Sequence, residues 1–348
     1  MRLSLGPFGI LIRVRVVLAN SALLSVGFAV LVTSLCLGTY SNLPVDQVLG
    51  ALFGFGPDDQ ELVVRELRLP RALTAILVGV AFALAGAVFQ AVTRNPLASP
   101  DLIGISAGAG TGAISAILFG GVTAAGAGTY GGVPFGALCG ALATAGAIYV
   151  FAYRGGTITG YRFVLVGLAV QGALVALNRW LLAKADIDEA GRAMVWLTGS
   201  LNGRDYTHVK WVGFALLLLV PPVLALGRAY QLLQFDDDTA RGLGIRIGRA
   251  RIVLLVLATC LAAVACASAG LIGFIALGAP QIARRLAGRA EIPLVASALT
   301  GAVLLLVADL IGRTLFSPTE LPVGIVTGAV GAPYLMWMLV RTNRVGAG

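Results

Sequence analysis

The run RLPRALTAILVGVAFALAGAVFQAVTRNPLASPDLIGISAGAGTGA, residues 68–113, decides the fold. Between Arg71 and Arg94 it holds neither charge nor proline, a stretch long enough to cross the hydrocarbon core, which takes about 20 apolar residues as helix. Gly79, Ala83 and Ala87 recur at every fourth position, as do Gly104, Gly108 and Gly112. Small side chains on one face let helix backbones approach closely. Asn95-Pro96 separates the two runs, as proline commonly marks a helix end.

Outward from this stretch the pattern repeats. The 348 residues are 58% hydrophobic and 12% charged, with a mean hydropathy of +0.92. Such a composition belongs to a bilayer, not to water. Apolar runs bounded by Gly, Pro or charge predict helices over 18–37, 71–92, 103–120, 133–152, 163–183, 209–226, 252–271, 280–286, 294–315 and 323–340. The expectation is an all-α polytopic membrane protein of about ten transmembrane helices, a single domain over 1–348. The eighth helix is too short to span. Its loose backbone, after Gly270-Leu-Ile-Gly273, is tolerable only where protein or a water-filled cavity covers it, as in transporters. The run over 16–37, behind Arg2, Arg13 and Arg15, is too long for a signal sequence and reads as a retained first helix. Between Lys184 and Asp205 a polar stretch predicts a short helix on the outer surface, with Trp196, Tyr206 and Trp211 at headgroup level.

The net charge of +9 comes from scattered arginine, since only Lys184 and Lys210 are lysine. No basic tail or aromatic-interleaved patch points to nucleic acid. With the N-terminus inside, 16 of the 25 basic residues fall in the cytoplasm, including Arg228, Arg249, Arg251, Arg284 and Arg289, as the positive-inside rule requires. The nine outside are Arg65, Arg68, Arg71, Arg179, Lys184, Arg192, Arg204, Lys210 and Arg313. They are the anomaly to explain.

Several chemistries are excluded. Neither lysine follows a glycine-rich phosphate loop, so this chain does not hydrolyse nucleotide. His208 is the only histidine, and Cys36, Cys139, Cys260 and Cys266 sit in apolar runs as packing residues. A protein-built metal site is not expected, so any metal carried arrives already chelated. Asp309 is the one carboxylate well inside a predicted span, four residues before Arg313. That spacing fits a structural ion pair or, alternatively, an ion-coupling site.

The opening run, with WLTGSLNG (196–203), DDTARGLGI (237–245), GLIGFIALGAPQIARRLAG (270–288) and ADLIGRTLFSPTELPVGIVTGAVGAP (308–333), resembles in order the signature of the FecCD-type permeases, which import iron-siderophores and vitamin B12 as subunits of ABC transporters. The resemblance covers nearly the whole chain. FIALGAPQIARR, DDTARGLG and SPDLIGISAGA are most similar to one of the two unlike permease chains of ferric enterobactin importers. Members usually carry Pro-His where this chain has Pro280-Gln281, and Asp-His-Arg where it has Arg289-Ala-Glu-Ile292. By the predicted topology these departures are cytoplasmic and would alter contacts with an ATPase.

The resemblance implies a type II ABC importer fold in the bacterial cytoplasmic (inner) membrane with both termini cytoplasmic. It implies an unlike second permease chain, two ATPase subunits carrying ATP and Mg, a periplasmic or lipid-anchored solute-binding protein, and a ferric siderophore as cargo. No cofactor is expected on this chain, and no enzymatic activity. Arg68, Arg71 and Arg313 would receive acidic residues of the binding protein. Asp237, Asp238, Ala240, Arg241, Leu243 and Gly244 would form the element that sits in a groove of the ATPase. Asn95, Leu97, Thr159, Gly160 and Tyr161 would line an inner gate. Vitamin B12 or haem is the alternative cargo; an ion-coupled secondary carrier and a membrane enzyme are the rival classes.

Overall fold

The computed structural model describes residues 2–5, 10–38, 42–119, 129–153, 160–235 and 247–345. A short antiparallel ribbon, β1 (Arg2–Leu5) and β2 (Ile10–Arg13), precedes an otherwise all-α chain. The described helices are α1 (Val14–Cys36), α2 (Val45–Phe53), α3 (Asp58–Thr93), α4 (Ile105–Phe119), α5 (Thr129–Ala152), α6 (Gly160–Lys184), α7 (Ile187–Leu197), α8 (Tyr206–Ala225), α9 (Gly227–Leu233), α10 (Ile247–Ala269), α11 (Ile275–Ala287), α12 (Leu294–Thr314) and α13 (Val323–Val345). Seven are long and apolar enough to cross a membrane, and two shorter apolar helices, Ile105–Phe119 and Val323–Trp337, accompany them. Each of the ten sequence-predicted helices is present. The outer surface helix appears as α7, while α2, the first part of α3, and α9 were not foreseen.

Burial sorts these helices. In α3 and α10 most of the apolar window is inside the bundle, 78% and 67%, against 6% in α1 and 17% in α6. Phe28 on α1 and Phe214, Leu217 and Leu218 on α8 point outward. An apolar exterior of this kind suits lipid or another apolar chain. The small-residue faces have the partners their spacing implies. Gly79 meets the backbone of Gly301 on α12, Gly86 that of Ala276 on α11, Gly108 that of Gly140 on α5, and Gly112 that of Gly136. Gly104 differs: it has φ +93 and lies against Gln171 on α6.

Helix α11 is the broken element. It has 13 residues and so reaches about 20 Å. It starts after the Gly270–Gly273 stretch at Phe274, a non-glycine residue with φ 68. Left-handed backbone at a bulky residue persists only when the surroundings hold it there. Here Gly331 on α13 makes room: a Cβ at that position would meet the Phe274 ring at 2.3 Å. At its other end α11 stops at Gly288, φ 60. There Arg15 of α1 donates to the carbonyls of Arg285 and Leu286, which lack intrahelical partners, and Arg285 lies 4.8 Å from the Trp337 ring centroid on α13. The half-helix is clamped at both ends.

Candidate functional site: the two ends of the bundle

At the end that the arginine distribution assigns to the outside, α1 stops inside the protein. Its last four carbonyls need partners, and each has one. Leu37 N–H donates to Thr33 at 2.9 Å and Leu43 N–H to Cys36 at 2.9 Å. Arg313 donates to the Ser34 carbonyl and hydroxyl, and Arg68 to Leu35 at 2.7 Å and Cys36 at 3.0 Å. Positive charge at a helix C-terminus is also favoured by the helix dipole. Arg71 donates through Nε to Asp309 at 3.0 Å and through a terminal nitrogen to Glu320 at 2.9 Å. Asp309 lies 3.6 Å from Arg313 as well. The three docking candidates therefore converge, with their guanidinium groups engaged inside the chain. Arg71 and Glu320, side chains 13% and 24% exposed, form the edge nearest solvent, while Asp309 is 1% exposed. Sequence reading found the Asp309–Arg313 spacing but missed Arg71 and Glu320 as partners.

At the opposite end, Asp237, Asp238, Ala240, Arg241, Leu243 and Gly244, together with Thr159, lie outside the described residues. Their flanks are firmly seated. Tyr230 of α9, buried, donates its hydroxyl to the Ile292 carbonyl at 2.9 Å, and Gln234 accepts from Ile292 N–H at 2.9 Å. Arg94 donates to the Leu233 carbonyl at 3.0 Å. Asn95 accepts from Leu97 N–H at 2.9 Å, so its side chain builds the turn that ends α3. Gly160 opens α6, and the next residue, Tyr161, is exposed. One expectation is corrected. Gln281 is fully buried and donates to Gln90, which donates in turn to the Leu277 carbonyl at 3.0 Å. A buried amide needs such partners, so the Pro280-Gln281 departure alters the α3–α11 contact and not a surface available to an ATPase.

Two cavities of about 400 Å³ flank α7. One is lined by Asp101, Ser106, Gln171, Asn178, Arg179 and Gly273, among others, beside the broken start of α11. Asn178 bridges α6 to α4, accepting from Thr111 at 2.6 Å and donating to the Ala107 carbonyl at 3.1 Å. The other cavity lies between α7 and the turn into α8, lined by Arg192, Trp196, Ser200, Asn202 and Arg204. There Asp205 caps α8, accepting from the N–H groups of Thr207 and His208. Burial alone would raise the Asp205 carboxyl, but the hydrogen bonds from His208 and Thr207 outweigh it and hold it below the usual carboxylate range.

A polytopic bundle with a broken, clamped half-helix and polar cavities beside the break defines a membrane transport permease. The chain belongs to the FecCD transport family, whose model matches residues 24–341. It is 41% identical over 304 residues to the ferric enterobactin transport system permease protein FepG of Escherichia coli K12, covering 87% of this chain and 90% of that one. It is 40% identical to the achromobactin transport system permease protein CbrC of Dickeya dadantii, covering 91% and 89%. Its backbone matches a solved metal-chelate type ABC transporter in an inward-facing conformation with a TM-score of 0.81, at 28% identity, over 92% of this chain and 98% of that one.

Proposed function

We propose that this chain is one of two unlike permeases of an ABC importer that moves a ferric siderophore across the bacterial inner membrane, with both termini cytoplasmic. The observation that supports this most directly is near full-length similarity to siderophore permeases. ATP and Mg belong to two separate ATPase subunits, and a solute-binding protein delivers the cargo to the arginine end. Asp309, the candidate ion-coupling carboxylate, is held between Arg71 and Arg313, which favours the importer over a secondary carrier. In proteoliposomes holding this chain with its partner permease and ATPases, ⁵⁵Fe-labelled siderophore should accumulate only with ATP inside the ATPase compartment. Accumulation by this chain alone on a proton or sodium gradient would overturn the reading.

Within that reading, the 237–244 stretch seats in the ATPase groove, and Asn95, Leu97, Thr159, Gly160 and Tyr161 lie along the inner gate. Docking centres on Arg71, the most solvent-reachable of the three arginines, with Arg68 and Arg313 holding its surroundings. Substituting Ala240→Glu or Leu243→Asp should leave basal ATP hydrolysis intact while abolishing siderophore transport, since only a rigid contact passes a differential free energy from one subunit to the other. Transport per ATP unchanged from the native complex would remove the coupling role.

A further inference from the structure

The cavity between α7 and the start of α8 contains two guanidinium groups and no carboxylate among its lining residues: Arg192, Val195, Trp196, Ser200, Asn202, Gly203 and Arg204. Its parts are held in place before anything binds. Arg204 donates to Nε2 of His208 at 3.0 Å, and Nδ1 of His208 lies 2.8 Å from Asp205. An arginine can only donate, so Nε2 accepts and Nδ1 carries the proton toward Asp205. The chain's only histidine is thereby a neutral strut that aims Arg204. The Trp196 carbonyl accepts from Gly199 N–H at 3.2 Å, and a Cβ on Gly270 would meet that carbonyl at 2.4 Å, so the indole stands on a backbone packed from below. Asp188 and Glu189 occupy the first turn of the same helix as Arg192, yet no ion pair joins them to it among the described residues.

Two fixed cations, an aromatic face and neutral hydrogen-bonding groups around a space of this size suit a planar, delocalised anion. The cavity is too small for a whole ferric chelate and large enough for one arm of it. We propose that this cavity is a recognition site for the anionic arms, catecholate or carboxylate, of the ferric chelate this importer carries, with Arg192 and Arg204 as the residues that select negative charge. The inference rests on the importer reading and names the chemical class of its cargo. It also accounts for outer cations that the arginine–carboxylate cluster leaves unexplained.

The test uses the detergent-solubilised importer without its binding protein, titrated with two probes: a trianionic ferric tris-catecholate and an uncharged ferric tris-hydroxamate, each followed by quenching of tryptophan fluorescence and by equilibrium dialysis of ⁵⁵Fe. Replacing both cations, Arg192→Gln with Arg204→Gln, should weaken tris-catecholate binding about tenfold or more, the loss of two charge-assisted contacts, and change hydroxamate binding less than about twofold. His208→Ala should weaken the tris-catecholate less than the double substitution does, because it loosens Arg204 without removing charge. Equal losses for both probes, an unchanged affinity for the trianion, or no binding of the trianion to the native complex would each overturn the proposal. ATP-dependent uptake by the same preparations is measured in parallel. If uptake requires the ATPases but binding ignores charge, only this inference fails; if uptake ignores the ATPases, the importer reading fails first.

Discussion

An importer carrying Asp309→Asn is expected to assemble poorly and to melt well below the native complex, whereas Glu320→Gln should behave almost as the native protein does. Asp309, 1% exposed, is the carboxylate that both Arg71, at 2.9 Å, and Arg313, at 3.6 Å, lean on. Removing one partner from a buried ion pair leaves an uncompensated charge and costs about 3–5 kcal/mol. An amide keeps the shape and loses the charge, so the penalty is electrostatic. Glu320 is partly exposed, and water can take over its share of Arg71 at about 1 kcal/mol or less. Size-exclusion yield and the thermal midpoint of the purified complex decide the matter; equal midpoints for Asp309→Asn and the native complex would sink the account.

The same geometry separates two causes for any loss of uptake at the arginines. Arg313→Glu places a carboxylate against the Ser34 carbonyl, where the helix dipole already disfavours negative charge. That substitution should lower complex yield before a binding protein is ever met. Arg71→Gln, in contrast, keeps the caps on α1 and leaves Asp309 beside Arg313. Uptake lost in Arg71→Gln with assembly near native would place docking at that residue. Assembly lost to the same degree in both would show a purely structural cluster.

The spanning helices were legible because the bilayer fixes their length and apolar character, a signal contained in each segment alone. The small faces were legible for the same reason, and Gly79, Gly108 and Gly112 lie where their spacing implies. What escaped the reading depended on neighbours or on local backbone detail. The sequence placed the start of the second helix at Arg71, because Arg65, Glu66, Arg68 and Pro70 look like a terminus. Instead α3 runs through them from Asp58, with a π-wound segment over Leu62–Arg68. A proline ring clashes with the carbonyl four residues back in a regular helix; the wider π turn, with Leu69 N–H bonded to the Val64 carbonyl, gives Pro70 room. The Arg71–Asp309 bond spans 238 residues, a separation no local pattern reveals. Gln281 was misplaced because its neighbours Arg284 and Arg285 suggested a surface, whereas a helix places residues three or four apart on one face and the one nearest Gln90 turns inward.

Gly86→Ala, the addition of one methyl group, should be among the most damaging substitutions in the chain, and Gly278→Ala among the most harmless. Both residues are buried helical glycines, and the chemical change is the same. A Cβ on Gly86 would stand 1.7 Å from the carbonyl oxygen of Ala276 and 2.5 Å from its carbon. Both are backbone atoms of α11, so no side chain can swing aside, and α3 and α11 must separate. Overpacking of this kind costs about 1–3 kcal/mol, occasionally more, even where side chains can adjust. Separation would also stretch the contacts of Gln90 to Leu277 and Gln281, leaving buried amides short of partners at about 1–3 kcal/mol each. On Gly278 a Cβ meets nothing within 4 Å, and alanine there gains up to about 1 kcal/mol of helix propensity. Thermal midpoints of the two purified variants, with ATP-driven siderophore uptake as the second readout, should diverge in opposite directions from the native value. A Gly86→Ala complex that melts and transports like the native one would mean that α11 is not seated against α3 by backbone contact.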